Sequence, residues 1–250
     1  MKLSHDDIER LALSTLARWM GELTSRAKWV KPVNIEVLAT HQLGLRLDYT
    51  RLDDFGKLPS IAAYVDTDIK FRQYLRDARI TVPANTILID ESLKAPEYPR
   101  ADSELCKRRF RIAHGCAHHI LHKMAPVHER RKMDTAYSGR VLTMSEFSAI
   151  SNWREWQAGA LAAALLMPGK YLALLLGQRR LKFYGNRLNK PDKLALANLS
   201  DRLKVSQTAM TLRLCQTGYA SKLPASEYHD PTDIECDDDF FTAQTSAAYV

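Results

Sequence analysis

The stretch that decides the fold of this chain is residues 107–122, KRRFRIAHGCAHHILH. It predicts a single helix that carries two histidines, His114 and His118, four residues apart. An α-helix completes a turn in about 3.6 residues, so both imidazoles lie on one face, about one turn apart. Two histidines in that arrangement can bind the same metal ion. The stretch therefore predicts a helix that supplies two ligands to a metal site.

The residue after the first histidine complicates this interpretation. In the zinc motif H-E-x-x-H, the second position carries a glutamate that activates the metal-bound water. In this chain that position is Gly115. Three interpretations are open: an active metalloprotease, a protein that keeps the metal without the chemistry, or neither.

Composition narrows the class of protein. The chain has 250 residues, 46% hydrophobic and 26% charged, which is typical of a soluble globular protein with ample length for a core. Its longest apolar run, residues 158–168, is too short and too rich in alanine to span a bilayer. The start, MKLSHDDIERL, is acidic where a signal peptide is basic and apolar. The four cysteines form no CxxC pair. We therefore expect a cytoplasmic protein without a membrane segment.

Charge is distributed unevenly along the chain. The net charge is +7, but residues 221–250 hold only one of the 36 basic residues and seven of the 29 acidic ones. Residues 1–220 therefore carry +13. A basic body with an acidic tail indicates an acidic partner for the body, a tail that folds back on it, or simply a solvated surface and a frayed terminus.

Local signals predict most of the helices. Ser4 caps the first helix, and Asp7 completes a capping box. Asn34 caps a short helix that runs through about Gln42 and ends at Gly44. The other helices are predicted at residues 151–166, at 169–176 and on both sides of a turn at 204–206.

Strands are predicted at three places. Residues 45–49 alternate apolar and polar side chains, and residues 61–65 and 86–90 form two more strands. The last, TILID, is nearly all apolar and should be central in its sheet. The charged and aromatic residues 68–79 predict a loop or a short helix, and the basic residues 122–140 predict a loop and hairpin region. The predicted elements are therefore mainly helices, with three strands.

Four blocks of sequence together resemble a known family. They are TILIDESL, RRFRIAHGCAHHILH, EWQAGALAAALLMP and LKVSQTAMTLRL. In this order and at similar separations they resemble the ImmA/IrrE family of zinc metallo-endopeptidases, over about residues 5–219. The resemblance implies an α+β fold, mainly helical with a small mixed three-stranded sheet, and a zincin-like active-site helix that lines a groove. It also implies a helix-turn-helix-like segment at about 195–217 within a metallopeptidase-like domain of residues 1–220. We expect the acidic tail, residues 221–250, to be flexible.

The resemblance also implies roles for individual residues. His114 and His118 match the two histidine ligands of the family's zinc, and Glu155 matches the third ligand. Gln157 occupies a position where many relatives have another acid, so the third ligand is open between these two, and an ionised carboxylate is the better zinc ligand. Members of the family cleave or antagonise helix-turn-helix repressors, in mobile elements or in stress responses.

Two positions depart from the family pattern. Gly115 replaces the general-base glutamate, and Gly159, four residues after Glu155, replaces an asparagine or aspartate that orients a histidine ligand. A general base contributes about 10²–10⁴-fold in rate, and loss of an orienting partner costs about 10- to 100-fold. Glycine supplies neither group. We therefore expect a pseudo-protease that keeps the fold and the zinc.

Other residues offer alternatives at the site. His119, His122 and His128 are further candidate ligands, and His122 shares the face of His118 one turn on. A general base from another part of the chain is also open, with three acidic candidates: Glu129, Asp134 and Glu146.

The helix-turn-helix-like segment offers a different class of function. Arg202, Lys204 and Arg213 are candidate contacts to DNA phosphates, and the sequence pI of about 9.2 is typical of nucleic-acid binding. Three functions therefore follow in order of preference. The first is a regulatory pseudo-protease that binds a helix-turn-helix repressor or another protein partner, the second an active zinc metallo-endopeptidase that cleaves such a repressor, and the third a DNA-binding regulator.

Overall fold

A computed structural model describes residues 3–20, 30–52, 60–73, 76–94, 102–139, 141–143, 146 and 154–228. Within these ranges the chain has eight α-helices and three small sheets of three strands each. The α+β class is therefore confirmed. The single predicted sheet is present, and two further sheets accompany it.

The elements are named here in chain order. The helices are α1 His5–Met20, α2 Ile35–Val37, α3 Asp102–Met124, α4 Val127–Tyr137, α5 Glu155–Leu166, α6 Gly169–Leu176, α7 Lys190–Leu203 and α8 Gln207–Gln216. The strands are β1 Arg46–Thr50, β2 Ser60–Ala63, β3 Thr67–Gln73, β4 Arg76–Val82, β5 Thr86–Asp90, β6 Val141–Thr143, β7 Leu181–Tyr184, β8 Arg187–Leu188 and β9 Ala220–Leu223. A π-helical turn, Leu38–Gln42, continues α2.

The first two helix starts are capped as predicted. Ser4 Oγ accepts the N–H of Asp7 at 3.2 Å, and the Asp7 carboxylate accepts the N–H of Ser4 at 3.0 Å. Asn34 Oδ1 accepts the N–H of Val37 at 3.1 Å, and Gly44 takes a φ of +66° just after the π-helical turn. These side chains satisfy backbone donors that a helix start leaves free.

The first sheet has the order β1-β5-β2 and uses all three predicted strands. β1 runs parallel to β5, and β2 runs antiparallel to it. All five residues of β5 are buried, which confirms that TILID is the central strand. α3 packs against β5 and β2 on one side and against α5 on another.

Two predictions about the chain between these elements are wrong. Residues 68–73 belong to β3 and residues 76–79 to β4, which pair antiparallel; Ile69 is buried in a small second core, and its partner Ile80 packs against that core. Within the basic stretch 122–140, the chain forms helix α4 instead of a loop and hairpin. Tyr137, which is buried in the same small core, anchors the end of α4.

The two C-terminal helices lie where they are predicted, but the domain does not end at the predicted residue 220. α7 ends at Lys204, which adopts a left-handed conformation, and Ser206 caps α8 by accepting the N–H of Ala209 at 3.2 Å. β9 then pairs in parallel with β7 and extends the fold past residue 220. The tail predicted from residue 221 therefore starts too early, and residues 229–250 lie outside the described residues. So does the predicted start of the α5 helix at residues 151–153.

One large apolar core connects α1 to α8 and contains the inner faces of α3 and α5. In the ranges that the structure describes, no single helix combines the length and the apolarity needed to cross a membrane. α5 and α6 reach that length and composition only as a pair, bent by 46° at their junction.

Candidate metal centre

Three side chains from two helices converge on one point. His114 and His118 lie one turn apart on α3, and Glu155 lies in the first turn of α5. Their ligand atoms all lie within 4.8 Å of one another. Glu155 Oε2 is 3.0 Å from His114 Nε2, Glu155 Oε1 is 3.1 Å from His118 Nε2, and the two Nε2 atoms are 3.0 Å apart. Together these residues can hold a metal ion.

The protonation states suit metal binding. Hydrogen bonds from His114 and His118 hold the pKa of the Glu155 carboxyl far below its usual range, so this group is ionised. Burial lowers the pKa of His118, so its imidazole is neutral near neutral pH. Metal ligands need an ionised carboxylate and neutral imidazoles. A tetrahedral zinc with bonds of about 2.1 Å separates its ligand atoms by about 3.4 Å, so a small outward shift of these side chains accommodates it.

Gln157, the other predicted candidate for the third ligand, lies two residues after Glu155 on α5. Its side chain is buried in α5, and the group that converges on one point contains Glu155 instead. In a helix each residue is rotated by about 100° from the one before it, so residues two apart point about 200° apart around the axis and cannot both face the same ion. The structure therefore decides between the two predicted candidates.

Gly159 lies beside an open space, at a position where the resemblance predicts a polar side chain. A Cβ built on Gly159 meets nothing within 4 Å. On the same site, His114 Nδ1 is buried and has no hydrogen-bond partner. Metal-binding histidines normally donate this second ring N–H to a carboxylate, carbonyl or water. Among the described residues, no side chain makes a hydrogen bond to His114 Nδ1 and so orients this ring.

Gly115 is held in a tight contact with the sheet. A Cβ on this residue would lie 2.7, 2.8 and 2.9 Å from three side-chain carbons of Ile87. Ile87 is only 1% exposed and belongs to the buried central strand β5, so it has little freedom to move. The direction in which a glutamate side chain would leave α3 is therefore filled by Ile87.

The three predicted substitute bases are engaged elsewhere. Glu129 binds Arg154 at 3.1 Å, and Asp134 lies 2.8 Å from His122 Nε2. Glu146 Oε2 accepts the N–H of Thr143 at 2.8 Å. None of the three belongs to the convergent group within the described part of the chain.

The other candidate histidines also lie outside the convergent group. His119 is buried at 3% exposure, and burial lowers its pKa to about 4. His122 stacks on Tyr64, with ring centroids 4.2 Å apart. His128 is exposed on α4. His122 thus shares the predicted helix face, but its ring packs with Tyr64 and Asp134.

The candidate DNA contacts have structural partners. Arg213 is buried, donates from Nε to the Met167 carbonyl at 3.0 Å and pairs with Glu9, so the predicted phosphate contact does not agree with its position. Arg202 donates to the Val30 carbonyl at 3.3 Å. The Lys204 ammonium lies 2.6 Å from Asp201.

Sequence reasoning missed Arg154, which immediately precedes Glu155. Its side chain is 6% exposed and donates to the Leu121 carbonyl at 2.7 Å as well as to Glu129. It therefore ties the start of α5 to α3 and α4, next to the ligand that α5 supplies. A basic residue beside a predicted carboxylate ligand is the only signal that the sequence offers for this role.

No family model, curated protein or solved structure matches this chain. The chemistry of the site therefore rests on its own residues: two imidazoles, one carboxylate and a glycine whose neighbouring space is filled.

Proposed function

We propose that this chain is a catalytically impaired relative of the ImmA/IrrE metallopeptidases that binds zinc and recognises a protein partner. One observation carries the proposal. Three metal ligands converge at His114, His118 and Glu155, while Ile87 fills the space beside Gly115. The ligand set is thus complete and the general base is missing.

The donor set favours zinc. Two neutral imidazoles and one carboxylate form the ligand shell of several zinc hydrolases and leave a further coordination position open. When bound, zinc supplies a concentrated positive charge and Lewis acidity at that position. His114 and His118 on α3 and Glu155 on α5 would hold the ion, and the inner faces of both helices belong to the large apolar core.

The missing base argues against efficient hydrolysis. A positioned general base lowers the barrier by about 3–5 kcal/mol, which is about 10²–10⁴-fold in rate. The candidate replacements, Glu129, Asp134 and Glu146, each make other contacts. Binding without cleavage is therefore the function that the site supports best.

A protein partner fits the surface beside the site. Trp156 follows Glu155 directly, is 56% exposed and makes an edge contact with the His5 ring, with centroids 5.2 Å apart. Exposed aromatic side chains are common at protein interfaces. The basic residues 1–220 favour an acidic partner, and the resemblance points to a helix-turn-helix repressor.

Metal analysis combined with a cleavage assay tests the proposal. The purified protein should hold about one zinc per chain, and His114→Ala and Glu155→Ala should each lose it. His128→Ala, a change at an exposed histidine of α4, should retain it and serves as the matched control. Incubation with a candidate repressor should give a complex but no fragments. Cleavage that a chelator abolishes would refute the impaired-protease proposal, and zinc retention by both ligand variants would refute the metal site.

A further inference from the structure

Arg111 lies on the same face of α3 as the two histidine ligands. It precedes His114 by three residues and His118 by seven, and at about 100° per residue the three side chains lie within about 60° of one another around the helix axis. Its side chain is half-buried, and its guanidinium experiences the charge of the Glu155 carboxylate. Arg111 is therefore a cation at the edge of the metal centre.

The neighbouring arginines all have partners, and Arg111 differs from them. Arg109 donates to the carbonyls of Val33 and Lys204, and Arg108 pairs with Glu36 at 3.2 Å. Among the residues that the structure describes, Arg111 makes no hydrogen bond or ion pair. A half-buried guanidinium that makes no hydrogen bond with the described residues loses hydration, which the oxygen atoms of a ligand can replace.

The other charges at the site also favour an anionic ligand. A divalent ion, the Glu155 carboxylate, neutral imidazoles and Arg111 together carry a net charge of about +2. A glutamate at position 115 would lower this charge by one. The glycine therefore changes the electrostatics of the site as well as removing a base, and favours an anionic ligand.

We propose that the bound metal and Arg111 together bind a carboxylate group, supplied by an acidic side chain or the C-terminus of a peptide. The inference rests on the metal site proposed above and names the chemistry of its ligand. A carboxylate has two oxygens, so one can face the metal while the other accepts hydrogen bonds from the planar guanidinium. The exposed Trp156 beside Glu155 offers an apolar surface to the residues that flank the carboxylate in a peptide.

The experiment uses the full chain loaded with cobalt(II), which occupies nitrogen and oxygen sites of the same kind and reports its ligands through its visible spectrum. The protein is titrated with acetate, with acetamide and with two capped peptides, acetyl-Leu-Glu-Leu-amide and its glutamine counterpart. Ionic strength is held constant because screening changes with salt. The variants are Arg111→Gln, Arg111→Lys and, as a control of equal charge change, Lys193→Gln on α7, an exposed lysine.

Acetate should shift the spectrum of the parent protein and of Lys193→Gln, whereas acetamide should not. Arg111→Gln should retain cobalt and bind acetate at least about 10-fold more weakly, since a charge-assisted hydrogen bond is lost. Arg111→Lys should bind acetate with an affinity between those of the parent protein and Arg111→Gln, because lysine keeps the charge but lacks the planar guanidinium. Tighter binding of the glutamate peptide than of acetate identifies a peptide as the source, and equal affinity identifies a small carboxylate.

The outcomes separate this inference from the proposed function. If the parent protein binds no cobalt, the metal site fails and the inference falls with it. If cobalt binds but Arg111→Gln binds acetate as tightly as the parent protein, the role of Arg111 is overturned and the metal site stands. Equal binding of acetate and acetamide, or of the glutamate and glutamine peptides, overturns the selectivity for carboxylate.

Discussion

Replacing Gly115 by alanine tests whether Ile87 fills the position of the general base. In an open part of a helix, glycine to alanine stabilises by about 1 kcal/mol. At Gly115, however, the new Cβ would lie 2.7–2.9 Å from three carbons of Ile87, closer than any ordinary contact. Overpacking of this kind costs about 1–3 kcal/mol. We therefore expect Gly115→Ala to change the free energy of unfolding by between about 0 and −2 kcal/mol, a loss of stability.

Gly159→Ala is the matched control. It makes the same chemical change in α5, where a Cβ meets nothing within 4 Å. We expect it to stabilise the protein by about 1 kcal/mol, the gain in helix propensity alone. Urea denaturation followed by circular dichroism gives both free energies of unfolding, provided that the slopes with denaturant stay equal.

A double-mutant cycle with Ile87→Ala completes the test. Ile87→Ala removes the three carbons and should cost about 2–5 kcal/mol by itself. In that background Gly115→Ala should become stabilising, so the two changes should couple by about 1–3 kcal/mol. The reasoning is refuted if Gly115→Ala stabilises the parent protein as much as Gly159→Ala does. Any residue with a Cβ at position 115, including the glutamate of Gly115→Glu, would meet Ile87. The activity of a Gly115→Glu variant should therefore be measured together with a smaller residue at position 87.

Three further predictions concern other parts of the fold. The pKa of His119 is lowered from 6.5 to about 4, so between these values the unfolded chain binds more protons and stability should fall as pH falls. Denaturation at several pH values should show that His119→Gln reduces the slope of the unfolding free energy against pH by about 1.4 kcal/mol per pH unit, and an unchanged slope contradicts this. Arg213→Met should lower the free energy of unfolding in urea by about 3 kcal/mol, because it removes the ion-pair partner of Glu9. The variant should still bind the metal, and unchanged stability contradicts the prediction. Asn34→Ala should cost about 1 kcal/mol in the same assay through the lost cap of α2, whereas a cost equal to zero would show that the cap is redundant.

The sequence by itself determined the features that depend on neighbours along the chain. The caps at Ser4 and Asn34, and the helix that carries His114 and His118, follow from side chains within four residues of one another. The central strand β5 follows from an unbroken apolar run. Local backbone geometry dictates these patterns, so they can be predicted without knowing what packs against them.

Local sequence patterns gave wrong predictions where contacts with distant residues determine the secondary structure. The charged residues of β3 and β4 obscured the pairing of these strands. Lys70, Asp77 and Arg79 are exposed, whereas Ile69 and Ile80 contact a small core. Helix α4 contains many basic residues and few apolar ones, and Tyr137 holds its end in the same core. The strength of such packing depends on partners that are distant along the chain.

Which side chains form the metal centre depends on contacts between elements that are distant along the chain. Glu155 reaches His114 across 41 residues, and its neighbour Gln157 turns into the core. Ile87 reaches Gly115 from a different element, so the glycine can be seen as a close helix–sheet contact as well as a lost base. A sequence shows which side chains are present at positions 87, 111 and 115. Which of them meet depends on how α3 docks on β5 and α5, because burial and charge pairing arise only between elements that have packed together.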